Sequence, residues 1–516
     1  MAANCLHIAE LQIQIVQFIN DERTLAHLAR VCKSFKDAAL DALYAHIRSF
    51  PHFLTCLPSD LWRKNKGELV FTRPMTRSDW DVLHSYAARV ITIRDAPEGY
   101  PPLRLASASC DALCMCPIPL LFPKLQSVEM TDSRRYLDER EHRLFASCFV
   151  SPQLRSLKLG VRSSATGLLL KYAPKLSTSC PRVQTIEIDE NPVGADSTPT
   201  MSQWICALDD LRAVKVGPVD VNMLDHLRQL DSLRSLEIYA EDGSQWLASD
   251  RSVFLSHLEN LTLHTDYEST AARAVERLLS PRSSGPMRKH ASIRHLAYQA
   301  TDTSSLAQFT TALERARPTG LSDLQISVSL PPRDTNSFPD YNHLRPLASF
   351  RDLKSLRIEY YPSRLDLCCS QIVEIAGSWP GIETLVIHPL VRPISLPALV
   401  ELMHLLPSVR NLGVHTALTA AHLKALDGSE PREGADYGAV EARARAVPVS
   451  FKNVKTLRLS WDDRGDQALY CAWVAYCMHR LVPNLEDIEY QDGWTDFWSA
   501  VSLQVGTHRR DGLLYS

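Results

Sequence analysis

The apolar residues follow one nine-residue pattern through most of the chain: two or three free positions, then apolar-x-x-apolar-x-apolar. The closing alternation has a period of two, which predicts a strand with one buried face. The pattern fits thirteen segments, whose first apolar positions are Leu125, Leu154, Val183, Leu211, Leu233, Leu258, Ile293, Leu321, Leu353, Ile382, Val409, Val454 and Leu485. The steps between copies run from 22 to 35 residues, with one step of 45 residues. Steps of this size indicate a repeat architecture.

The segments between copies have the apolar spacing of helices, as in Leu168 to Leu176 and Ser395 to Leu406. One strand and one helix cannot bury their own apolar faces, so the units must stack on one another. The predicted fold class is therefore α/β, with parallel strands on the concave side of a solenoid and helices outside. These residues resemble leucine-rich repeats. The copies lack the Asn or Cys that regular families carry after the strand, so we expect an irregular solenoid.

The patterns divide the chain into four predicted regions. Residues 1–50 form a helical module, and residues 51–120 a helical linker with a degenerate first repeat near Ser85 to Ile93. Residues 121–500 form the solenoid of about 13 repeats, with an insertion near 416–450 that explains the step of 45 residues. Residues 501–516 form a C-terminal tail.

The amino-terminal region carries three short helical patterns. The first helix has two apolar faces, one with Ile8, Leu11, Ile15 and Phe18 and one with Ile13, Val16 and Ile19. The second helix is marked by Leu25, Leu28 and Val31, and the third by Phe35, Ala39, Leu43 and Tyr44. About forty residues cannot build a self-sufficient core. The extra apolar surface must therefore meet either the solenoid or another protein.

Three segments of this region resemble an F-box: "LHIAEL" from Leu6, "ARVCKSF" from Ala29 and "ALDALY" from Ala39. The whole chain resembles an F-box/leucine-rich-repeat protein of the kind common in fungi. Ala9 stands where the F-box opening usually has Pro, and Phe35 and Tyr44 stand where Trp is common. Each of these residues keeps the size or the apolar character of the usual one.

The resemblance implies a substrate-recognition subunit of an SCF-type cullin-RING ubiquitin ligase. Its F-box would bind a Skp-family adaptor and, through it, a cullin, while its repeats hold an unknown target protein. Such a subunit contributes proximity and orientation, with no catalytic residues of its own. The expected adaptor-binding residues are Ile8, Leu11, Ile15, Val31, Cys32, Phe35, Leu43 and Tyr44. The alternatives are helices that only cap the first repeat, and a leucine-rich-repeat scaffold without a ubiquitin-ligase role.

The target would lie on the polar face of the strands. That face includes the position between the last two apolar residues of the pattern and the position just after it. The candidate target-binding residues are Lys158, Tyr239, His264, Arg357, Glu359, His388, His415 and Arg458. His388 and His415 stand on consecutive strands, as either a metal-binding or pH-sensing pair or two solvated side chains. No acidic residue completes a metal site there.

The composition argues against other classes of function. A net charge of −3 and an isoelectric point near 6.7 give no electrostatic case for nucleic-acid or membrane partners. No phosphate-binding loop, GxSxG elbow, HExxH or kinase motif is present, so we expect no enzyme and no cofactor. Cys110, Cys114 and Cys116 lie close together but lack paired CxxC spacing and a fourth ligand, so we expect no metal site.

Two features bear on the compartment. The chain begins without the basic segment of a secretory signal. Its longest apolar run, Ala468 to Cys477, is about half the length of a bilayer span and is better explained as a buried helix. We therefore expect an intracellular protein, cytoplasmic or nuclear or both.

Overall fold

The structure is a computed structural model of the whole chain. It describes residues 8–31, 33–95, 103–130, 143–144, 147–162, 173–191, 198–241, 244–248, 254–265, 268–280, 292–300, 306–328, 339–360, 364–388, 390–418, 451, 453–461, 478, 481–482 and 484–490. The chain forms two compact units, Met1–Tyr239 (unit 1) and Ala240–Ser516 (unit 2).

Unit 1 begins with the three predicted helices, α1 (Ala9–Gln17), α2 (Glu22–Val31) and α3 (Lys36–Ala45). Their shared core is small and consists of the buried side chains of Val16, Leu25 and Phe35, one from α1, one from α2 and one from the start of α3. The predicted helical patterns are therefore confirmed.

The main sheet of unit 1 is parallel and continues directly from α3. Its described strands, in spatial order, are β1 (His46–Ile47), β4 (Thr92–Arg94), β6 (Ser127–Met130), β7 (Ser156–Arg162), β8 (Thr185–Asn191), β9 (Ala213–Pro218) and β10 (Ser235–Ala240). The described helices around it are α4 (Phe50–Phe53), α5 (Arg77–Ala87), α6 (Ser107–Cys114), α7 (Ala173–Ser179), α8 (Thr198–Ile205) and α9 (Val221–Leu227). The order of the strands from β6 onward follows the chain, as stacked repeats require.

A small second sheet lies between β1 and β6 in the chain and was not predicted. Its strands are β2 (Trp62–Asn65), β3 (Glu68–Phe71) and β5 (Arg104–Leu105), with β2 and β3 antiparallel and β3 and β5 parallel. Lys66 and Gly67 join β2 to β3 with φ of 48° and 82°. Positive φ at both central residues is typical of the two-residue turns that suit the twist of a hairpin.

Helix α5, which follows β3 in the chain, has a buried charged residue at its amino end. Asp79 accepts hydrogen bonds from the Thr76 backbone amide (2.8 Å) and hydroxyl (2.7 Å), which closes a capping box. The Arg73 guanidinium donates to both Asp79 oxygens, at 2.6 and 3.2 Å. The hydrogen bond from Arg73 is the largest of the effects that hold the pKa of Asp79 far below its usual value.

Unit 2 repeats the same parallel plan. Its described strands are β11 (Asn260–Thr265), β12 (His295–Ala300), β13 (Asp323–Val328), β14 (Ser355–Tyr360), β15 (Thr384–His388), β16 (Asn411–Leu418), β17 (Thr456–Trp461) and β18 (Asp487–Tyr490). Its described helices are α10 (Gln245–Ala248), α11 (Glu268–Leu279), α12 (Leu306–Ala316), α13 (Tyr341–Leu344), α14 (Cys369–Ala376) and α15 (Leu396–Leu405), and a 3₁₀ turn covers Arg345–Ser349.

The repeating apolar pattern forms the core of both units. Of its apolar positions whose side chains the structure describes, all are buried except Met130. Within each unit, consecutive described copies are also joined through one carbonyl group. For example, the Arg155 carbonyl oxygen accepts from the amides of both Gln184 and Thr185, at 2.8 and 2.9 Å, and the Lys354 oxygen accepts in the same way from the next copy. The predicted α/β fold class, with an amino-terminal helical module followed by parallel strands and helices, is confirmed.

Three predicted segments lie wholly or partly on residues that are not described. The predicted buried helix at Ala468 to Cys477 and the C-terminal tail 501–516 lie outside the described residues, as do residues 419–450 of the predicted insertion. Within the part of the chain that is described, no helix combines the length and the apolar character needed to cross a membrane.

Candidate interaction surfaces

The first two helices leave a set of apolar side chains exposed, which we call the outer face. It consists of Ile8, which precedes α1, Leu11, Ile13, Ile15 and Phe18 of α1 and its end, and Val31 of α2. Phe18 and Val31 are 87% and 83% exposed. The described residues have eight exposed large apolar side chains in all, and these six come from the first 31 positions. These six side chains are concentrated in one short segment of the chain, and large exposed apolar patches mark interaction sites more often than scattered apolar side chains do.

The predicted adaptor-binding residues divide into three groups. Ile8, Leu11, Ile15 and Val31 lie on the outer face. Phe35 is only 7% exposed and fills the core of the helical module. Leu43 and Tyr44 are half-buried, and Cys32 lies outside the described residues.

Helix α3 attaches the module to the rest of unit 1. The Tyr44 ring packs against Tyr86 and Phe53, with ring centroids 4.9 and 6.0 Å apart. Burial raises the pKa of Tyr44 to about 12, which keeps its hydroxyl neutral. Arg89 of unit 1 bonds the carboxylates of Asp37 (2.9 Å) and Asp41. The third helix is therefore used for internal packing, while the outer face of the first two helices remains uncovered.

The polar strand face of unit 1 carries an in-register row of alternating charges, which we call the charge ladder. Its members, from β4 to β10, are Arg94, Glu129, Lys158, Glu187, Lys215 and Glu237. Ion pairs join Arg94 to Glu129 (3.5 Å), Lys158 to Glu187 (2.8 Å) and Lys215 to Glu237 (3.0 Å). The row has three charges of each sign, so it is electrically balanced.

Lys215 shows how strongly the ladder members depend on one another. Burial acts to lower the pKa of Lys215, but the hydrogen bond to Glu237 and the charges of Glu237, Asp189 and Glu187 outweigh it, so the pKa is raised. Lys158, a predicted target-binding residue, is likewise paired within the ladder. A target that used either ammonium group would have to replace an existing ion pair.

The same row in unit 2 has a different character. From β11 to β16 its members are Thr262, Ala297, Gln325, Arg357, Val386 and Gly413. Arg357, a predicted target-binding residue, is the charged member of these six. Gly413 leaves room for its neighbour, because a β-carbon there would lie 3.0 and 3.1 Å from the two Val386 methyl groups. The unit 2 face therefore offers mostly neutral side chains.

The neighbouring row of unit 2 contains three further predicted residues. His264, Gln299, Ser327, Glu359 and His388 are aligned across β11 to β15. His264 and Glu359 are half-buried, whereas His388 is only 5% exposed, and its Nε2 lies 3.5 Å from Glu359 Oε1. Because the contact is charged only when His388 is protonated, its strength depends on pH.

The remaining predicted target-binding residues do not add to this row. Tyr239 is half-buried on β10 of unit 1. The side chains of His415 and Arg458 lie outside the described part of the chain, although their backbones belong to β16 and β17. The described register of β15 and β16 extends to Ile387 opposite Val414. The possible metal-binding or pH-sensing pair of His388 and His415 therefore stays a prediction, whereas the alternative of two solvated side chains is wrong for His388, which is buried.

A second histidine contact, which the sequence analysis missed, lies at the start of β12. His295 Nδ1 is 3.2 Å from Asp323 Oδ2 on the adjacent strand. The hydrogen bond that His295 donates to Asp323 raises the pKa of His295 and lowers the pKa of Asp323. The two residues occupy the same position in consecutive copies of the pattern, a signal that is visible in the sequence once the strand register is known.

The cysteine cluster gains a fourth member in the structure. Cys148 is buried near Cys116, and its thiol donates to the Leu113 carbonyl oxygen at 3.4 Å. A hydrogen bond with Cys148 is the main reason why the pKa of Cys116 is lowered to about 7. No group of three or more His, Cys, Asp or Glu side chains among the described residues is arranged to hold a metal ion.

Comparison with known proteins identifies no family for this chain. No family model and no curated protein matches it. Among solved structures, the chain is similar to the leucine-rich-repeat-containing protein LegL7 from Legionella pneumophila. The two are 11% identical, the match covers 80% of this chain and 98% of LegL7, and the TM-score is 0.24. A TM-score this low supports no argument, so the fold assignment depends on the strands and helices of this chain itself.

Proposed function

We propose that this protein is a substrate-recognition subunit of an SCF-type cullin-RING ubiquitin ligase. Its outer face binds a Skp-family adaptor, which connects it to a cullin, and the strand faces of its repeats hold a target protein. The protein supplies position and orientation and no catalytic group. This role places it inside the cell, in the cytoplasm, the nucleus or both.

One observation supports the proposal most strongly. The helical module has its own core of Val16, Leu25 and Phe35, and α3 is anchored to unit 1, yet the outer face stays exposed. The exposed residues Ile8, Leu11, Ile15 and Val31 are four of those that the F-box resemblance assigns to the adaptor. Exposed apolar side chains are costly to keep in water unless a partner covers them.

The test is co-purification of the full-length chain with a Skp-family adaptor. Ile15→Asp combined with Val31→Asp should weaken the complex at least about 30-fold, since each central apolar contact at an interface is worth on the order of 1–2 kcal/mol. Both side chains are exposed, so both substitutions leave the core of the module intact. Phe35→Asp is unsuitable, because it would place a charge in that core.

The matched control places the same charges on polar positions of the same helices. Gln14→Asp with His27→Asp changes exposed residues of α1 and α2 and should leave adaptor binding unchanged. The proposal fails if the wild-type chain does not capture the adaptor, or if the apolar and control variants bind equally well. The first of these results would favour a repeat scaffold without a ubiquitin-ligase role.

A further inference from the structure

A cavity of unit 2 with a mixed polar and apolar lining lies between two consecutive turns, at the edge of the sheet where β13 and β14 begin. Its volume is about 510 Å³, and residues 317–321 and 349–352 line it. The apolar part of the lining is held by the core, because Leu321 and Phe350 are buried. The size is within the range of small-molecule sites, which is roughly 300 to 1,000 Å³.

The lining includes two arginines. Arg317 follows helix α12, and Arg351 follows the 3₁₀ turn of the next repeat. Neither one forms an ion pair with any described residue, and Asp352 is the acidic residue of the lining. Some other cations at this edge are paired across repeats, such as Arg294 with Glu259 at 3.5 Å.

The backbone adds further donors to the same lining. Within the described part of the chain, the amides of Arg351 and Asp352 donate no hydrogen bond, whereas the Phe350 amide donates to the Leu347 oxygen at 3.1 Å. Arg317 has a φ of 45° and Gly320 a φ of 77°, so the facing turn begins and ends in the left-handed region. The unused amides therefore lie in the 349–352 turn and the left-handed residues in the 317–320 turn, and unused backbone amides are donors that can bind an anion.

We propose that this cavity binds the phosphate group of a phosphate monoester. Two guanidinium groups match the charge of about −1.5 to −2 that a phosphate monoester carries at neutral pH, and their planar forks suit its three terminal oxygens. A carboxylate has one charge and two oxygens, and would leave one of the two guanidinium groups without a partner. The proposal goes beyond the proposed function, since it concerns a ligand of unit 2 and needs no adaptor.

The test is calorimetric titration of the full-length chain at constant ionic strength. The probes are inorganic phosphate, O-phosphoserine and glucose 6-phosphate, with serine and acetate as controls. All three phosphates should bind, with an apparent Kd on the order of 1 mM for the free ion. The relative affinities of the three distinguish a free phosphate from one carried by an amino acid or by a sugar.

Two variants separate binding from folding. Arg351→Ala should weaken phosphate binding at least about tenfold, since it removes a charge-assisted hydrogen-bond donor. Arg317→Gly should weaken binding as much while raising the melting temperature of the free protein, because glycine adopts positive φ without strain. A variant that is more stable and yet binds less cannot owe its loss of binding to unfolding.

The control is the double variant Arg364→Ala and Arg392→Ala, which removes two exposed arginines of unit 2 outside the cavity. It should bind phosphate like the wild type. The proposal is overturned if the wild type binds none of the phosphates, if it binds acetate equally well, or if the control loses as much affinity as the two cavity variants. Adaptor capture is measured separately, so either proposal can fail without the other.

Discussion

Substituting Glu for Lys215 would place carboxylates side by side in the charge ladder of unit 1. Lys215 lies 3.0 Å from Glu237 and 3.9 Å from Asp189, and its Cα is in register with that of Glu187. Its side chain is about one-third exposed, so solvent screens these charges and each pair contributes about 1 kcal/mol at most. Losing the attraction and adding repulsion of similar size should cost about 2 kcal/mol.

Native-state hydrogen exchange measures this cost locally. Amides of β8, β9 and β10 should exchange about 30-fold faster in the Lys215→Glu variant, the factor that corresponds to 2 kcal/mol. Amides of β13 and β14 in unit 2 serve as the internal reference and should be unchanged. Lys215→Met, which removes the charge without reversing it, should cost about half as much.

The double variant Lys215→Glu with Glu237→Lys provides the decisive comparison. It restores the ion pair between these two positions but leaves the new carboxylate beside Glu187, so it should recover about half of the loss. In 1 M salt, where the Debye length is about 3 Å, the differences between variants should shrink by more than half. If Lys215→Met and Lys215→Glu are equally destabilised, or if salt has no effect, the ladder is not held by charge and the argument is wrong.

Two further predictions concern pH. The pKa of Asp79 is lowered by its bond to Arg73, so the stability it contributes is present above the unfolded pKa of about 4 and is lost as the pH falls. Asp79→Asn should cost about 3 kcal/mol in urea unfolding at pH 7, and the deficit should shrink toward pH 2. The raised pKa of His295 gives the opposite dependence of stability on pH. The stabilisation by protonated His295 is complete below about pH 6.5 and is lost as the pH rises through the raised pKa. His295→Asn should therefore destabilise β12 more at pH 5.5 than at pH 8.5 by hydrogen exchange, and an equal effect at both values would contradict the assignment.

Much of the fold could be predicted from the sequence, because it depends on periodicity. The spacing in Ser395 to Leu406 predicted a helix, and α15 covers Leu396–Leu405. The two apolar faces of α1 were also visible; on the second, Val16 is buried and Ile19 partly buried, whereas Ile13 is exposed. Periodicity does not say which face meets which neighbour. For the same reason it could not show that Phe35 fills the core of the module while Ile15 stays exposed.

The features that were missed depend on contacts between distant segments. The hairpin of β2 and β3 is rich in charged residues and turns at Lys66 and Gly67, without the Asn-Gly or Asp-Gly pair that usually marks such a turn. Cys148 is far from Cys116 in the sequence, and no spacing rule connects them. The alternating signs of the charge ladder are visible in the sequence, but a shift of one residue would send those side chains to the other face, so the strand register was needed.

The charge ladder also constrains how this part of the protein can change in length. The charge in the ladder alternates in sign from each strand to the next, so the same sign recurs every two repeats. Duplicating or deleting a single repeat between β6 and β10 would therefore place like charges on adjacent strands. Events that add or remove a pair of repeats would keep every neighbour oppositely charged. In unit 1, adding or removing a double repeat would therefore cost less electrostatic energy than adding or removing a single one, even though each single copy has a complete apolar core pattern.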